Sequence, residues 1–173
     1  MRIILIGYMG AGKTTLGHAL ARKTGMPFYD VDWYVENRMR KTARQLFEER
    51  GEDGYRKLEK TLLHEVAEFE NVVISCGGGT PCFFDNIDYL NQQGETIYLK
   101  TSIDILLKHL SMARKERPLL IGKSDEELRQ YVEKQLAERR PFYEKAKHTL
   151  DISLLDTHEK IQEAVNQIEN IIN

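Results

Sequence analysis

An excess of charge of one sign is missing from this sequence of 173 residues: 27 acidic side chains stand against 25 basic ones, a net −2 with histidine neutral. Without a broad positive field there is little to draw a phosphate backbone, so no nucleic-acid partner is expected. Long hydrophobic runs are missing too. The longest span four or five residues, far short of the ~20 that a membrane helix needs. The apolar stretch at 3–6 is too short for a secretory signal core and no small-residue cleavage site follows it. A cytoplasmic protein without a membrane partner is the expectation. Cysteine is scarce: Cys76 and Cys82 have no companion histidines at zinc-ligand spacing, which argues against both a disulfide framework and a structural metal. Low-complexity tracts, linker composition and solenoid repeats are likewise lacking. What remains is one domain's length of chain, 41% hydrophobic and 30% charged, enough for one packed core over 1–173.

Short apolar segments alternate with longer helical patterns. Residues 3–6, 27–30, 72–76, 96–99 and 149–152 read as buried strands, each followed by apolar residues at helical spacing. That alternation predicts a parallel sheet with right-handed crossovers and helices on both faces. The clearest helix is the last, where Ile161, Ala164, Val165, Ile168, Ile171 and Ile172 share one face, with Asp156 and Glu159 as its start signal. Another opens at Ser124, where Ser124 and Glu127 fit a capping box, and Pro141 is expected to end or kink it near Arg140. Two stretches break the alternation. Residues 31–71 hold two or three helices where one crossover would suffice, a candidate substrate-binding insertion. Residues 111–123, basic and without clear periodicity, read as a solvated loop or as a lid over a nucleotide site.

Gly7-Tyr8-Met9-Gly10-Ala11-Gly12-Lys13-Thr14 matches the phosphate-loop pattern G-x-x-x-x-G-K-[ST], directly after an apolar strand and directly before a helical pattern. Glycines let backbone N–H groups turn inward as an anion nest, and the helix start adds partial positive charge. Lys13 then reaches the outer phosphates and the Thr14 hydroxyl a magnesium ion. Gly10, Ala11, Gly12, Lys13, Thr14 and Thr15 form the expected nucleotide-binding set. No N-K-x-D segment follows for a GTPase, and the third strand ends in Ser75-Cys76-Gly77 rather than in the Asp of a motor or transporter ATPase. A small-molecule kinase fits both absences.

Asp30 and Asp32 stand where the second strand should end, at the sheet edge where open α/β sheets bind ligands. If Val31 stays extended, their carboxylates point in different directions, one toward a metal's water shell and one toward a substrate hydroxyl. The structural alternative is an N-cap and first-turn charge for a helix starting at Trp33.

GYMGAGKTTLG and FYDVD, then Gly54-Tyr55-Arg56-Lys57-Leu58-Glu59, Ser75-Cys76-Gly77-Gly78-Gly79, Arg117-Pro118-Leu119-Leu120 and Arg139-Arg140-Pro141-Phe142-Tyr143 follow one another along the whole chain. In that order they resemble the motifs of the shikimate kinase family. The resemblance implies the small-molecule (nucleoside-monophosphate-kinase-like) kinase fold with a five-stranded parallel sheet. It also implies ATP-dependent phosphorylation of the 3-hydroxyl of shikimate, on the way to chorismate and the aromatic amino acids. It assigns Thr14 and Asp30 to Mg2+, Lys13 to the transferred phosphoryl group and Asp32 to the accepting hydroxyl. Arg56, Arg139 and the backbone of Gly77, Gly78 and Gly79 fall to the substrate, and Arg117 to a closing lid. An arginine pair suits the shikimate carboxylate through charge-assisted, bidentate bonds. Glu59, one turn after Arg56, orients that arginine.

The chain departs from the family in two places. Members commonly carry an Arg seven residues before the lid arginine, against adenine; here Leu110 stands there, leaving adenine to apolar contact. Thr80-Pro81 after the three glycines stiffens that loop. His18, His64, His109, His148 and His158 are scattered without metal-ligand pairing and read as surface or packing residues. A monomeric enzyme is expected. Two alternatives remain, another small-molecule kinase such as a gluconate or nucleoside monophosphate kinase, and an ATP-binding scaffold without turnover.

Overall fold

Strand β1 (Arg2–Ile6) lies at the centre of the sheet, and Ile3, Ile4, Leu5 and Ile6 are all fully buried. A strand covered on both faces has no polar side to alternate with, which is why this segment reads as an unbroken apolar run. The computed structural model describes residues 1–113 and 124–173. Among these, β2 (Phe28–Asp30), β3 (Val72–Ser75), β4 (Glu95–Thr101) and β5 (His148–Ile152) complete a five-stranded sheet of order β2-β3-β1-β4-β5. Every neighbouring pair is parallel, with Ile4 opposite Ile74 on one side and Leu5 opposite Ile97 on the other. Each strand lies within two residues of its expected position at either end.

The helices follow the expected alternation: α1 (Lys13–Thr24), α2 (Val31–Met39), α3 (Ala43–Ala67), α4 (Asn86–Gln93), α5 (Ile103–Ala113), α6 (Asp125–Tyr143) and α7 (His158–Ile172). Helix α1 packs against β3 and α7, and α4 against β4. Gly17 lets the Phe28 ring come directly against α1. The 31–71 stretch holds α2 and a long α3 broken at Gly51, whose φ of 68° and ψ of 177° interrupt the helix. Helix α3 starts with a Thr42/Gln45 capping box, and α6 with the expected Ser124/Glu127 box.

Three local readings are corrected. Helix α7 is capped by Thr157, whose hydroxyl accepts from the Lys160 N–H, while Asp156 pairs with the Lys160 ammonium at 2.8 Å. Helix α6 runs through Pro141 to Tyr143. A proline in the last turn removes only one helical bond, and the fully buried Tyr143 anchors this end by donating to the Gly78 carbonyl at 2.6 Å. Val31 is the first residue of α2 rather than an extended link, so this helix starts two residues before Trp33.

Candidate active site

The order of the sheet decides where the site lies. The chain leaves β1 toward β2 and β3 on one side and later returns to β4 on the other, leaving a crevice at the carboxyl end of β1. A cleft of about 340 Å³ opens there, taking in the phosphate loop, Asp30, Asp32 and the start of the glycine triplet.

The loop from Gly7 onward turns on Gly10 and Gly12, with φ of 83° and 98°. Side chains with a Cβ rarely adopt this conformation. Ala11 is buried and its N–H closes a turn onto Tyr8 O at 3.1 Å. The buried Lys13 ammonium bonds the Gly7 and Tyr8 carbonyls at 2.6 and 2.9 Å, curving the loop around itself. Thr14 and Thr15 stand exposed in the first turn of α1. Helices α2, α3, α6 and α7 each have a side-chain cap, whereas α1 has none and no acidic residue in its first turn. Its leading N–H groups and positive dipole end are thus left for an anion.

On the opposite wall, Asp30 caps α2 by accepting from Trp33 N–H at 3.1 Å, so the structural alternative holds for this residue. One of its carboxylate oxygens is engaged in the cap and the second, among the described residues, accepts no hydrogen bond. Asp32 lies in the first turn of α2, with solvent access yet crowded by protein. Loss of surrounding water raises its carboxyl to about 6, with Asp30 and Glu59 adding to the rise and Lys13 and Arg56 opposing it.

The three glycines after β3 each make room for a different functional side chain. A Cβ on Gly77 would come within 2.6 Å of the Asp32 carboxylate, one on Gly78 within 3.0 Å of Arg139 Nη1, and one on Gly79 within 2.6 Å of Arg56 Nη2. One short loop therefore gathers Asp32, Arg139 and Arg56 from three helices around bare backbone. Arg56 Nη1 donates to the fully buried Glu59 at 2.9 Å, the orienting role expected of that carboxylate, and the Phe83 ring lies 4.2 Å from the guanidinium. The other Glu59 oxygen accepts from the Thr80 hydroxyl at 2.9 Å, and Asn86 holds the Thr80 carbonyl at 2.9 Å. Arg56 Nε is buried without a partner among the described residues, a donor suited to an anion. Arg139 lies over the Tyr8 ring at 5.8 Å, and Tyr8 in turn is bonded to Gln135 of α6.

A family model for shikimate kinase matches residues 9–172. The chain belongs to the shikimate kinase family. The shikimate kinase of Phocaeicola vulgatus is 53% identical over 172 residues, 99% of this chain and 98% of that one. The crystal structure of shikimate kinase from Bacteroides thetaiotaomicron superposes with a TM-score of 0.96 at 49% identity, covering 99% of this chain and 97% of that one. Shikimate kinase from Acinetobacter baumannii, solved in complex with shikimate, gives 0.83 at 32% identity, covering 98% and 92%. The fold read from the alternation of strands and helices is that of these kinases.

Of the shikimate kinase residues expected from sequence, the structure brings together the phosphate loop, Asp30, Asp32, Arg56, Arg139 and the glycine triplet. Arg117 and most of the lid segment lie outside the described residues. Leu110, at the position where the family commonly has Arg, is fully buried against Gly10. Thr80 was expected only to stiffen its loop and His109 to be a surface or packing residue, and Tyr143 was given no role, yet each bonds an element of the site. Tyr143 lies inside a motif that could have flagged it. For His109 no local signal exists. Among the described residues no cluster of three or more His, Cys, Asp or Glu could hold a metal, and no helix is long and apolar enough to cross a membrane.

Proposed function

We propose that the chain carries out the shikimate kinase reaction with the following division of labour. ATP phosphates rest on the N–H groups of Gly10 and residues 12–15, the Ala11 N–H being taken by Tyr8 O, with Lys13 at the transferred group, while Thr14 and the second oxygen of Asp30 would hold Mg2+. One hydroxyl and one carboxylate suit Mg2+, which binds few protein groups and keeps waters and phosphate oxygens. When bound, the ion neutralises developing charge on the transferring phosphoryl group. Arg56 and Arg139 grip the shikimate carboxylate, and the backbone of Gly77, Gly78 and Gly79 borders the ring.

Asp32 aligns the 3-hydroxyl and accepts its proton as the oxygen attacks. Phosphoryl transfer passes through a loose transition state in most analyses, so alignment counts for more than basicity. A carboxyl near 6 is nonetheless well matched to taking a proton near neutral pH. The 31–71 unit closes on shikimate and the 111–123 segment, with Arg117, closes on the nucleotide. The enzyme works as a monomer, since every group invoked comes from one chain, and it is placed in the cytoplasm by its sequence, whose apolar stretch at 3–6 is too short for a secretory signal core. Its product, shikimate 3-phosphate, leads to the aromatic amino acids.

The observation that carries this reading is the convergence of Asp32, Arg139 and Arg56 on three consecutive glycines beside a phosphate loop. ADP release measured in parallel with shikimate, gluconate, AMP and no acceptor tests it. Release should require both magnesium and shikimate. Equal rates with gluconate, or hydrolysis without acceptor as the main activity, would overturn the substrate assignment.

A further inference from the structure

Helix α5 places His109 beside the phosphate loop, with a bond on each side of its ring. Nδ1 lies 2.6 Å from the Gly10 carbonyl. Nε2 lies 3.3 Å from the backbone nitrogen of Leu155, in the loop between β5 and α7. A backbone N–H can only donate, so Nε2 is the acceptor and the ring proton sits on Nδ1, donated to Gly10. The imidazole is thereby a neutral bridge between two loops 145 positions apart in sequence. The loops also meet directly, for the Leu155 side chain packs into the space left by the missing Cβ of Gly12. Leu110, next along α5, fills the corresponding space at Gly10, 3.0 Å from where a Cβ would lie.

We infer that His109 is a positioning residue for the nucleotide, holding the phosphate loop in its anion-binding form. An anion nest works only while its N–H groups face the ligand and its carbonyls face away. The Gly10 peptide is held on one side by the Ala11 N–H bonded to Tyr8 O, but a glycine at φ of 83° has no side chain to resist rotation of the plane, so its carbonyl side needs a partner too. His109 gives that carbonyl a donor on the helix side. Through Leu155 the same ring ties the loop to a second wall of the cleft, which both His109 and Leu155 line. This role rests on the phosphate loop being the ATP site.

Calorimetric titration of ATP and ADP, with steady-state kinetics for both substrates, tests the inference on three variants. His109→Ala removes both bonds. His109→Asn can still donate to Gly10 from the Nδ1 position, and His109→Gln can still accept from Leu155 at the Nε2 position. For His109→Ala the Kd for ATP and ADP and the KM for ATP should rise about 10-fold, the effect of one lost hydrogen bond with its partner left unsatisfied. The KM for shikimate should stay within about twofold. His109→Asn should recover most of the nucleotide affinity and His109→Gln much less. If His109→Ala fails to fold, the difference between Asn and Gln decides the question. Wild-type nucleotide affinity in His109→Ala, or equal losses for ATP and shikimate, would overturn the positioning role while leaving the ATP site intact. Absence of ATP binding by the wild-type enzyme would overturn the site assignment and this role together.

Discussion

At Asp32 a single carboxyl answers to several neighbours at once. Crowding by protein, then Asp30 and Glu59, hold its pKa near 6 in the folded chain, against 3.8 as the ordinary value. In the free enzyme kcat/KM should therefore fall as pH drops below about 6, where the protonated acid can no longer accept the hydroxyl proton. A pH profile of wild type against Asp32→Asn checks this, since the variant should lack that limb and lose about 10²-fold or more in kcat with ATP affinity little changed. The same shift has a consequence for stability. The unfolded chain releases the proton at lower pH than the folded one, so the Asp32 contribution to stability falls as pH rises from about 4 to about 6. Asp32→Asn should raise Tm near neutral pH, and the gain should vanish below about pH 4, where both states hold the proton. A second residue-scale test is Gly79→Ala. Its backbone φ of −86° suits alanine, so the fold should persist, but the new methyl would displace an Arg56 side chain held against Phe83. The KM for shikimate should rise about 10-fold, as for a lost charge-assisted bond, with ATP binding unchanged by calorimetry.

Helix ends carry the argument at the scale of elements. Five helices close their first turns with a side chain, α5 through Ser102; α4 has no such cap but carries Asp88 in its first turn, and α1, at the phosphate loop, has neither a cap nor an acidic residue. An uncapped, uncharged first turn leaves the N–H groups of α1 for an anion. At α7 the cap is Thr157 and the neighbouring carboxylate makes an exposed ion pair. Thr157→Ala should then cost about 1 kcal/mol and Asp156→Ala clearly less, its ion pair being exposed, read as the difference in urea midpoints. Equal losses would return the cap to Asp156. The break at Gly51 separates the α3 segment that follows α2 from the segment carrying Arg56 and Glu59. The arginine thus belongs to the part of the insertion that packs against the turn after β3, where Glu59 meets Thr80.

For the whole molecule, the cleft is lined from separate parts of the chain, the phosphate loop, Asp30 and Asp32, the end of β3 with Gly77 and Gly78, and His109 with Leu155. Trp33, the single tryptophan, is 61% exposed and directly follows Asp32. Closure of the 31–71 unit over shikimate should change its surroundings, giving a saturable fluorescence change with shikimate even without nucleotide. A flat signal while calorimetry reports binding would rule out closure near Trp33. On the nucleotide side, Arg117→Ala should lower kcat by about 10³-fold or more, with Arg117→Lys retaining part of the activity because it keeps charge without the planar fork. A higher KM for ATP at unchanged kcat would make Arg117 a ground-state anchor instead.

Much of this was legible in the sequence because it is local in the chain. The phosphate loop needs glycines, a lysine and a hydroxyl at fixed spacing, and the strand before and helix after it announce themselves by apolar pattern. The buried run of β1 and the heavy amphipathic stripe of α7 follow from periodicity in the same way, and the order of the motifs carried the family. Tertiary structure alone decided which side chains meet. Nothing local pairs Gly77 with Asp32, Gly78 with Arg139 and Gly79 with Arg56, because those contacts depend on where β3 ends relative to α2, α3 and α6. His109 looked like any helical histidine until the sheet brought Gly10 and Leu155 to either side of its ring. Pro141 was tolerated because Tyr143 reaches across the fold to Gly78. Periodicity and loop chemistry are properties of neighbours along the chain, whereas these contacts are properties of strand order and packing, and they exist only once the sheet has assembled.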